Sequence, residues 1–219
     1  MHVAIATLFR DSTRYIDTFF SQVTELHKHV NVRLIACEGD SKDNSWDHLR
    51  TAAESAPFTV ELLKRDHGGN RYPASTNPIR FQQLAYLANS MLAKIGDEDA
   101  YIRVESDLLW DANTMLTLIQ HLETVPAVVP MVWRSGVFYD TWAFRKDGVK
   151  FTNHPPYHAC LQENGLIRLD SAGSCVAIRG DIARRLRIPP EDAFVGTCRF
   201  IYQLGGSVWL DKEVSVVHP

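Results

Sequence analysis

A chain of 219 residues with 45% hydrophobic and 22% charged residues is long enough for one large core and is typical of a globular protein. Its net charge of −3 excludes an overall basic field, so neither nucleic acid nor an anionic membrane is an expected partner. The four cysteines form no CxxC pair, and no apolar run approaches the about 18–20 residues of a membrane span. A cytoplasmic chain with reduced thiols and no membrane span is therefore expected.

Short apolar runs alternate with amphipathic helical patterns in the first half of the chain. The patterns predict strands at 2–9, 30–37, 58–63 and 101–104, and helices at 14–29, from about 45, and from 78 until Gly96. The long segment 67–78, HGGNRYPASTNP, is rich in Gly, Pro and Asn. Loops of this length in compact domains are usually functional. We therefore expect a lid that is mobile in the free protein and ordered over a bound ligand.

The second half has a less regular pattern. It predicts a helix at 112–123, strands at 127–133 and 175–178, an irregular stretch at 145–169, a helix at 181–186, a helix that opens with Glu191 and Asp192, and two terminal strands before His218. Alternating strands and helices predict an α/β fold with a mostly parallel central sheet flanked by helices. Neither GxGxxG nor GxxxxGK[ST] occurs, so a dinucleotide-binding or phosphate-loop site lacks its glycines.

Acidic side chains follow two of the predicted strands at the point where each strand ends. Glu38 and Asp40 follow the second strand, and Glu105 and Asp107 follow the fourth. Ligands of open α/β sheets bind at the carboxyl ends of the strands, and Mg²⁺ or Mn²⁺ is commonly held there by one or two carboxylates together with phosphate oxygens. The alternative is a simple strand-to-helix turn with solvated acids, in which Asp111 caps the following helix.

An ordered set of motifs runs through nearly the whole chain. It consists of a strand that ends in EGDSKDN, Arg80 at the start of the helix before the acid strand, the acid-x-acid turn, a Gly/Ala/Ser-rich turn before a strand, a Pro-rich helix start with Glu-Asp, and the late His218. In order and spacing this set resembles the GT-A glycosyltransferases, which use nucleotide sugars. The segment YDTWAFRKDG matches in part a motif of the fungal capsule-associated, mannosyltransferase-like group.

The resemblance implies a single GT-A (Rossmann-like) domain over residues 1–219, with a nucleotide-binding half at about 1–110 and an acceptor-binding half at about 111–219. It implies a metal-dependent hexosyltransferase that moves a sugar from a UDP- or GDP-sugar to a saccharide or another hydroxyl-bearing acceptor, with Mn²⁺ or Mg²⁺ as cofactor.

On the donor side, the resemblance assigns a role to seven residues. Thr7, Glu38 and Asp40 would neighbour the base and ribose, Arg65 and Arg80 would face the diphosphate or order the acid loop, and Glu105 and Asp107 would hold ribose and metal. Asp107 would coordinate the metal directly, with His218 as the late metal ligand. Without the resemblance, His218 would be interpreted as a frayed terminal residue.

On the acceptor side, the candidates are carboxylates and aromatic rings. Asp192 is the first candidate for a general base or an acceptor-holding group, with Glu191 and Asp140 as the other candidates; Tyr139, Trp142, Asp170 and Ser171 would contact sugar or acceptor. Each has a simpler interpretation. Acids in a first helical turn complement the helix dipole, Trp142 can fill a core, and Asp170 and Ser171 can form a turn.

Two other functional classes stay open on the sequence. A sugar-nucleotide pyrophosphorylase would share the layout and the metal-binding acids, but its glycine-rich basic loop would stand where this chain has TLFRDS. A non-catalytic carbohydrate- or nucleotide-binding module would keep the aromatic residues and lose the metal-binding set. Finding no metal-dependent hydrolysis or transfer with any nucleotide sugar would favour the binding module.

Overall fold

The computed structural model describes residues 1–72, 77–191 and 195–219. The longer strands are β1 (His2–Phe9), β2 (Asn31–Glu38), β3 (Thr59–Lys64), β4 (Ala100–Val104), β5 (Ala127–Arg134), β10 (Cys175–Arg179) and β11 (Val208–Val217). Four short strands are β6 (Val137–Phe138), β7 (Arg145–Lys146), β8 (Val149–Lys150) and β9 (Ile167–Leu169). The helices are α1 (Thr13–His27), α2 (Ser45–Ser55), α3 (Pro78–Leu92), α4 (Ala112–His121), α5 (Gly180–Ala183) and α6 (Val195–Gln203), with a 3₁₀ helix at Ala159–Gln162.

One central sheet joins both halves of the chain. Its strand order within the described residues is β3-β2-β1-β4-β10-β5-β11-β9, and β6 pairs with β5. The strand pairs β3–β2, β2–β1, β1–β4 and β5–β11 are parallel. Strand β10 lies between β4 and β5 and is antiparallel to both. The predicted α/β fold with a mostly parallel sheet flanked by helices is confirmed. A single sheet over both halves also makes the chain one domain.

The apolar strands are buried because helices cover the sheet. Residues 3–6 of β1 are apolar and fully buried, as expected for a strand covered on both faces. Helix α1 packs one apolar stripe inward, made of Ile16, Phe19, Phe20, Val23 and Leu26. The periodicity that predicted this helix is therefore the periodicity of its buried face.

Two helix starts follow the sequence signals closely. Pro78 occupies the first turn of α3, and the side chain of Asn77 accepts hydrogen bonds from the backbone N–H groups of Ile79 and Arg80. At α4, Asp111 Oδ1 accepts from the backbone N–H of Thr114 at 2.7 Å. The simple explanation for Asp111 as a helix cap is therefore correct. It leaves the preceding acids, Glu105 and Asp107, free for another role.

Several sequence-based boundaries differ from the structure. The described part of the last helix begins at Val195, so Glu191 lies in a turn ahead of it, while Asp192 lies outside the described residues. An acid shortly before a helix complements the same dipole as an acid in the first turn, so composition does not fix that boundary. Helix α5 ends at Ala183. The backbone hydrogen bonds that follow, such as the one from Leu186 N–H to the Ala183 carbonyl, join residues three positions apart, as in a 3₁₀ turn.

The predicted irregular stretch and the predicted terminal strands also need correction. Residues 145–169 contain the β7–β8 hairpin, the 3₁₀ helix and β9. The two predicted terminal strands are one strand, β11, whose pairing with β5 shifts register between Asp211 and Ser215. Such a shift is a bulge-like irregularity that interrupts the apolar alternation without ending the strand. Among the described helices, none has the length and apolar character needed to cross a membrane.

Candidate functional site

The loops after β1, β2 and β3 surround a cavity at the carboxyl edge of the sheet, with α3 as its other wall. The cavity has a volume of about 530 Å³. Its lining includes Leu8, Phe9, Arg10, Cys37, Gly39, Asp40, Arg65, His67, Arg71, Tyr72, Arg80, Gln83, Leu84 and Leu87. We call this the large cavity. It lies where ligands of open α/β sheets bind and is large enough for a small organic ligand.

Four arginines line the large cavity. Arg65 and Arg80 were predicted to face a diphosphate, and the structure places both in this wall. Arg10 and Arg71 were missed. They line the cavity only because the loops after β1 and β3 meet in three dimensions, and neither belongs to a recognisable motif. Guanidinium groups bind phosphate and carboxylate oxygens with planar pairs of N–H donors, so the lining suits an anionic ligand.

Unpaired polar atoms are concentrated at this edge of the sheet. Among the described residues, Arg10 Nε, Arg65 Nε and His67 Nε2 are buried without a hydrogen-bond partner, and all three residues line the large cavity. Thr7 Oγ1 and Glu38 Oε2, at the ends of β1 and β2, are also buried and unpaired. A buried polar atom without a partner costs about 1–3 kcal/mol, so such a concentration indicates groups that bind a ligand.

Thr7 and Glu38 do not line the large cavity. Both are 1% exposed, and Glu38 Oε1 accepts from the backbone N–H of Ser41 at 3.1 Å. In the parallel pair of β1 and β2, Glu38 is opposite Phe9 while Cys37 is opposite Leu8. Glu38 lines a separate cavity of about 220 Å³ at the start of α2. The two predicted base-binding residues therefore lie beside the large cavity, at its sheet edge.

Asp40 is a structural anchor of the cavity wall. Its Oδ2 accepts from the backbone N–H of His67 at 2.9 Å, and its Oδ1 accepts from that of Gly69 at 2.7 Å. Burial alone would raise the pKa of this carboxyl, but the two backbone hydrogen bonds and the positive charge of Arg10 hold it below its ordinary value. Next to it, a Cβ at Gly39 would overlap the carbonyl oxygen of Arg65, so only glycine fits there.

A smaller cavity lies beside the large cavity, at the acid strand. It has a volume of about 160 Å³ and shares Leu8, Arg80 and Leu84 with the large cavity. Its far end is lined by Arg103, Val104 and Glu105. Arg80 therefore lines both cavities, and Glu105 lines the smaller one.

Glu105 lies close to a second buried carboxyl group, Asp140. The Ser174 hydroxyl donates to Asp140 Oδ2 at 2.9 Å, and the backbone N–H of Glu105 donates to the Ser174 carbonyl at 3.0 Å. Burial, followed by the charge of Asp140, raises the pKa of Glu105 to about 7. Burial also raises the pKa of Asp140. Sequence reasoning missed Ser174 because nothing in the local pattern of its turn distinguishes it from an ordinary turn residue.

The raised pKa of Glu105 predicts a specific dependence of stability on pH. Between its ordinary pKa of 4.5 and about 7, folded Glu105 keeps a proton that the unfolded chain releases, so the free energy of unfolding falls as pH rises through this range. Glu105→Gln removes this contribution to the pH dependence of the free energy of unfolding. We expect the wild-type protein to lose on the order of 2–3 kcal/mol relative to the variant between pH 4.5 and pH 8. Urea unfolding at several pH values with EDTA measures it; parallel curves for the two proteins would contradict the prediction.

Asp107 and His218 come together at the end of the acid strand. His218 Nε2 lies 3.2 Å from Asp107 Oδ2, although 111 residues of sequence separate them (218 − 107). His218 is held in place on both sides. Its backbone N–H donates to the Trp133 carbonyl at 2.7 Å, and its ring stacks on Tyr139 with centroids 4.1 Å apart. The residue before it exchanges backbone hydrogen bonds with Leu109. The interpretation of His218 as a frayed terminus is therefore wrong.

The pair has the chemistry of a partial metal site. A carboxylate oxygen and an imidazole nitrogen suit Mn²⁺, and a cation of this class commonly takes only one or two protein ligands when phosphates complete its shell. Within the described ranges, no three His, Cys, Asp or Glu side chains are grouped so that they could hold a metal ion. Of the three predicted ligands, Asp107 and His218 therefore form the pair and Glu105 does not complete a group of three.

The predicted acceptor-side residues occupy different environments. Trp142 is partly exposed, and its ring lies 5.9 Å from that of Phe81 at the start of α3. Ser171 is buried and donates to the Ala143 carbonyl at 2.5 Å, while exposed Asp170 accepts from the backbone N–H of Gly148 at 2.7 Å. The structure thus uses Asp170 and Ser171 to hold the hairpin of β7 and β8, and their contact with a sugar stays a prediction.

Comparison with known proteins gives a structural likeness without a sequence match. No protein-family model and no curated protein matches the chain. The mannosyltransferase PcManGT from Pyrobaculum calidifontis, in complex with GDP-Man and Mn²⁺, matches with a TM-score of 0.65 and 14% identity over 98% of this chain and 56% of that one. TarS 1–349 from S. aureus, in complex with UDP-GlcNAc, matches with a TM-score of 0.58 and 10% identity over 99% of this chain and 58% of that one.

A third solved structure, a mycobacterial protein, has a TM-score of 0.54 and 16% identity over 100% of this chain and 67% of that one. The chain spans 56% and 58% of the length of the first two neighbours. At these identities the likeness establishes the fold, and the chain has the GT-A fold that the sequence resemblance implied. The finer resemblance to the capsule-associated group is not confirmed and stays a prediction.

Proposed function

We propose that this chain is a metal-dependent glycosyltransferase, of hexosyltransferase type, that moves a sugar from a nucleoside diphosphate sugar to a hydroxyl group of an acceptor. One observation carries the proposal. Four arginines, two of them with a buried and unpaired Nε, line a cavity at the carboxyl edge of a GT-A sheet, and a neighbouring small cavity that shares Arg80 is lined by Glu105, two residues before Asp107 of the carboxylate–imidazole pair. A diphosphate supplies the acceptor oxygens that such donors lack.

The donor is assigned to the large cavity and to the smaller cavity beside it. Arg65 and Arg80 bind the diphosphate oxygens, and Arg80, which lines both cavities, brings the sugar-bearing phosphate towards Glu105. Thr7 and Glu38 are buried beside the large cavity and do not line it, so the contact with base and ribose that we propose for them rests on the motif resemblance alone. Neighbours of the same fold bind GDP-Man and UDP-GlcNAc, which supports a UDP- or GDP-sugar as the donor class.

Asp107 and His218 are the proposed ligands of Mn²⁺ or Mg²⁺. When bound, a divalent ion stabilises the negative charge that develops on the nucleoside diphosphate leaving group. Arg65 and Arg80 would supply further positive charge for the same leaving group. Stacking on Tyr139 fixes the ring of His218, so the imidazole is already oriented before any ligand arrives.

The acceptor is assigned to the second half of the chain. Trp142 is the proposed aromatic platform for a sugar ring, because the ring of Tyr139 already stacks on His218. Asp192 is the proposed base that takes the proton of the attacking hydroxyl. The bond between the sugar carbon and the phosphate oxygen breaks as the new glycosidic bond forms, and the nucleoside diphosphate leaves. Asp140 is the alternative base. Both of its carboxylate oxygens already accept hydrogen bonds, from the Ala143 N–H at 3.3 Å and from Ser174 at 2.9 Å, which favours a supporting role for Asp140.

The proposal predicts metal-dependent nucleotide binding. UDP, GDP and their sugars, each tested with MnCl₂ and with EDTA, should raise the thermal unfolding temperature only when the metal is present. A ligand at 100 times its Kd stabilises the folded state by about 2.7 kcal/mol, an effect that differential scanning fluorimetry readily detects. Release of nucleoside diphosphate with an added acceptor then tests transfer. Equal shifts with and without metal would argue for a binding module, and the absence of any shift would contradict the proposed donor site.

A further inference from the structure

Arg10 lies in the turn after β1 and contacts a segment far from it in the sequence. Its Nη2 group donates to the Gly69 carbonyl at 3.2 Å and to the Asn70 carbonyl at 2.9 Å. We call residues 66–72 the cavity loop, because His67, Arg71 and Tyr72 line the large cavity. Arg10 therefore holds the cavity loop against the end of β1.

The same guanidinium group has donors that the cavity loop does not use. Arg10 lines the large cavity, and its Nε is buried without a hydrogen-bond partner in the described part of the chain. A guanidinium is planar and carries five N–H donors, so one edge can bind carbonyl oxygens while another binds an anion. An anion in the large cavity would satisfy donors that otherwise stay unpaired.

The cavity loop has two further anchors. Asp40 accepts hydrogen bonds from the backbone N–H groups of His67 and Gly69, and Arg71 forms an ion pair with Asp11. Asp40 also lines the large cavity, but both of its carboxylate oxygens already accept hydrogen bonds from the loop. Arg10 differs from both aspartates because it lines the cavity and keeps N–H donors that the loop does not use.

We propose that Arg10 is a donor-binding residue that couples occupancy of the large cavity to the position of the cavity loop: one guanidinium holds Gly69 and Asn70 and binds phosphate oxygens of the donor. The inference rests on the proposed function, since it requires a nucleoside diphosphate in this cavity. Binding of the anion orients the Arg10 side chain, and the oriented side chain holds the loop more firmly. Donor binding thus stabilises the cavity loop in the position that the structure shows.

Arg10→Lys is the informative variant, because lysine keeps the charge and loses the planar fork. Isothermal titration with GDP and with UDP, each in MnCl₂, gives affinity, and hydrogen exchange of peptides that cover 66–72 gives loop protection. In the wild-type protein, saturating nucleotide should slow exchange in the cavity loop by about tenfold or more. In Arg10→Lys, affinity should fall by about 10- to 100-fold, in line with loss of a charged hydrogen bond, and saturating nucleotide should no longer slow exchange.

Two matched variants separate coupling from simple loss of structure. Arg14→Lys changes an exposed arginine on α1 whose guanidinium lies over Tyr15, and should leave both measurements unchanged. Asp40→Asn weakens a loop anchor, so it should raise exchange in the free protein while preserving the slowing caused by nucleotide. If Arg10→Lys behaves like Asp40→Asn, Arg10 is only a structural anchor and the inference is overturned. If the wild-type protein binds neither nucleotide, the proposed function fails together with it; binding without any effect on exchange overturns the inference alone.

Discussion

Asp107→Asn should abolish manganese-dependent nucleotide binding while the protein stays folded. The substitution keeps the size of the side chain and removes the charge that pairs with His218 across 3.2 Å. Substitution of residues that only support metal ligands already lowers metal affinity by about 10- to 100-fold. Loss of a direct ligand should therefore lower metal affinity by about 100-fold or more. The side chain is partly exposed, and the change in unfolding free energy should stay within about 0.5 kcal/mol. Titration calorimetry with GDP or UDP, with and without MnCl₂, measures the effect.

Asp147→Asn is a suitable control for this experiment. Its side chain is 79% exposed, and its partner is the neighbouring Lys146. It should bind metal and nucleotide as the wild-type protein does. His218→Ala should weaken metal-dependent binding in the same way as Asp107→Asn, and the double variant should lose little more than either single one, because both groups act on one ion. Unchanged metal dependence in Asp107→Asn would remove this residue from the metal site.

Asp192→Asn should lower transfer by about 10² to 10⁴ and leave donor affinity within a few-fold, because a positioned general base contributes in this range to the chemical step. The motif resemblance places this residue on the acceptor side, whereas the cavity that suits the donor is lined by residues of the first half of the chain. Single-turnover kinetics with a saturating nucleotide sugar, together with calorimetric donor binding, separates the two effects.

Its neighbours in the candidate set provide the comparison. Glu191→Gln changes an exposed acid in a turn and should cost little; a large loss there with none in Asp192→Asn would exchange the two roles. Asp140→Asn disturbs the hydrogen bond from Ser174 and should lower thermal stability as well as rate. If Asp192→Asn loses donor binding and thermal stability together, this acid only supports the local structure.

Local patterns in the sequence were sufficient for the fold class and for part of the candidate site. Apolar runs marked the buried strands, and the 3.6-residue period of α1 marked its packed face, because burial imposes these periods directly on the chain. Polar residues at strand ends placed Arg65 and Glu105 at the carboxyl edge for the same reason: parallel strands all end on one side of the sheet.

Only the tertiary structure decided which of these residues face one another. Arg10 and Arg71 join the cavity through the meeting of two loops about 60 residues apart, and Ser174 bridges towards Glu105 because β10 runs antiparallel beside β4. His218 is ordered rather than frayed because the end of β11 pairs with β5 on one side and with Leu109 on the other. The residues next to His218 in the sequence do not predict this pairing. Periodicity reports how each segment is buried. Contacts between distant segments depend on strand order and loop geometry, which no single segment of the sequence encodes.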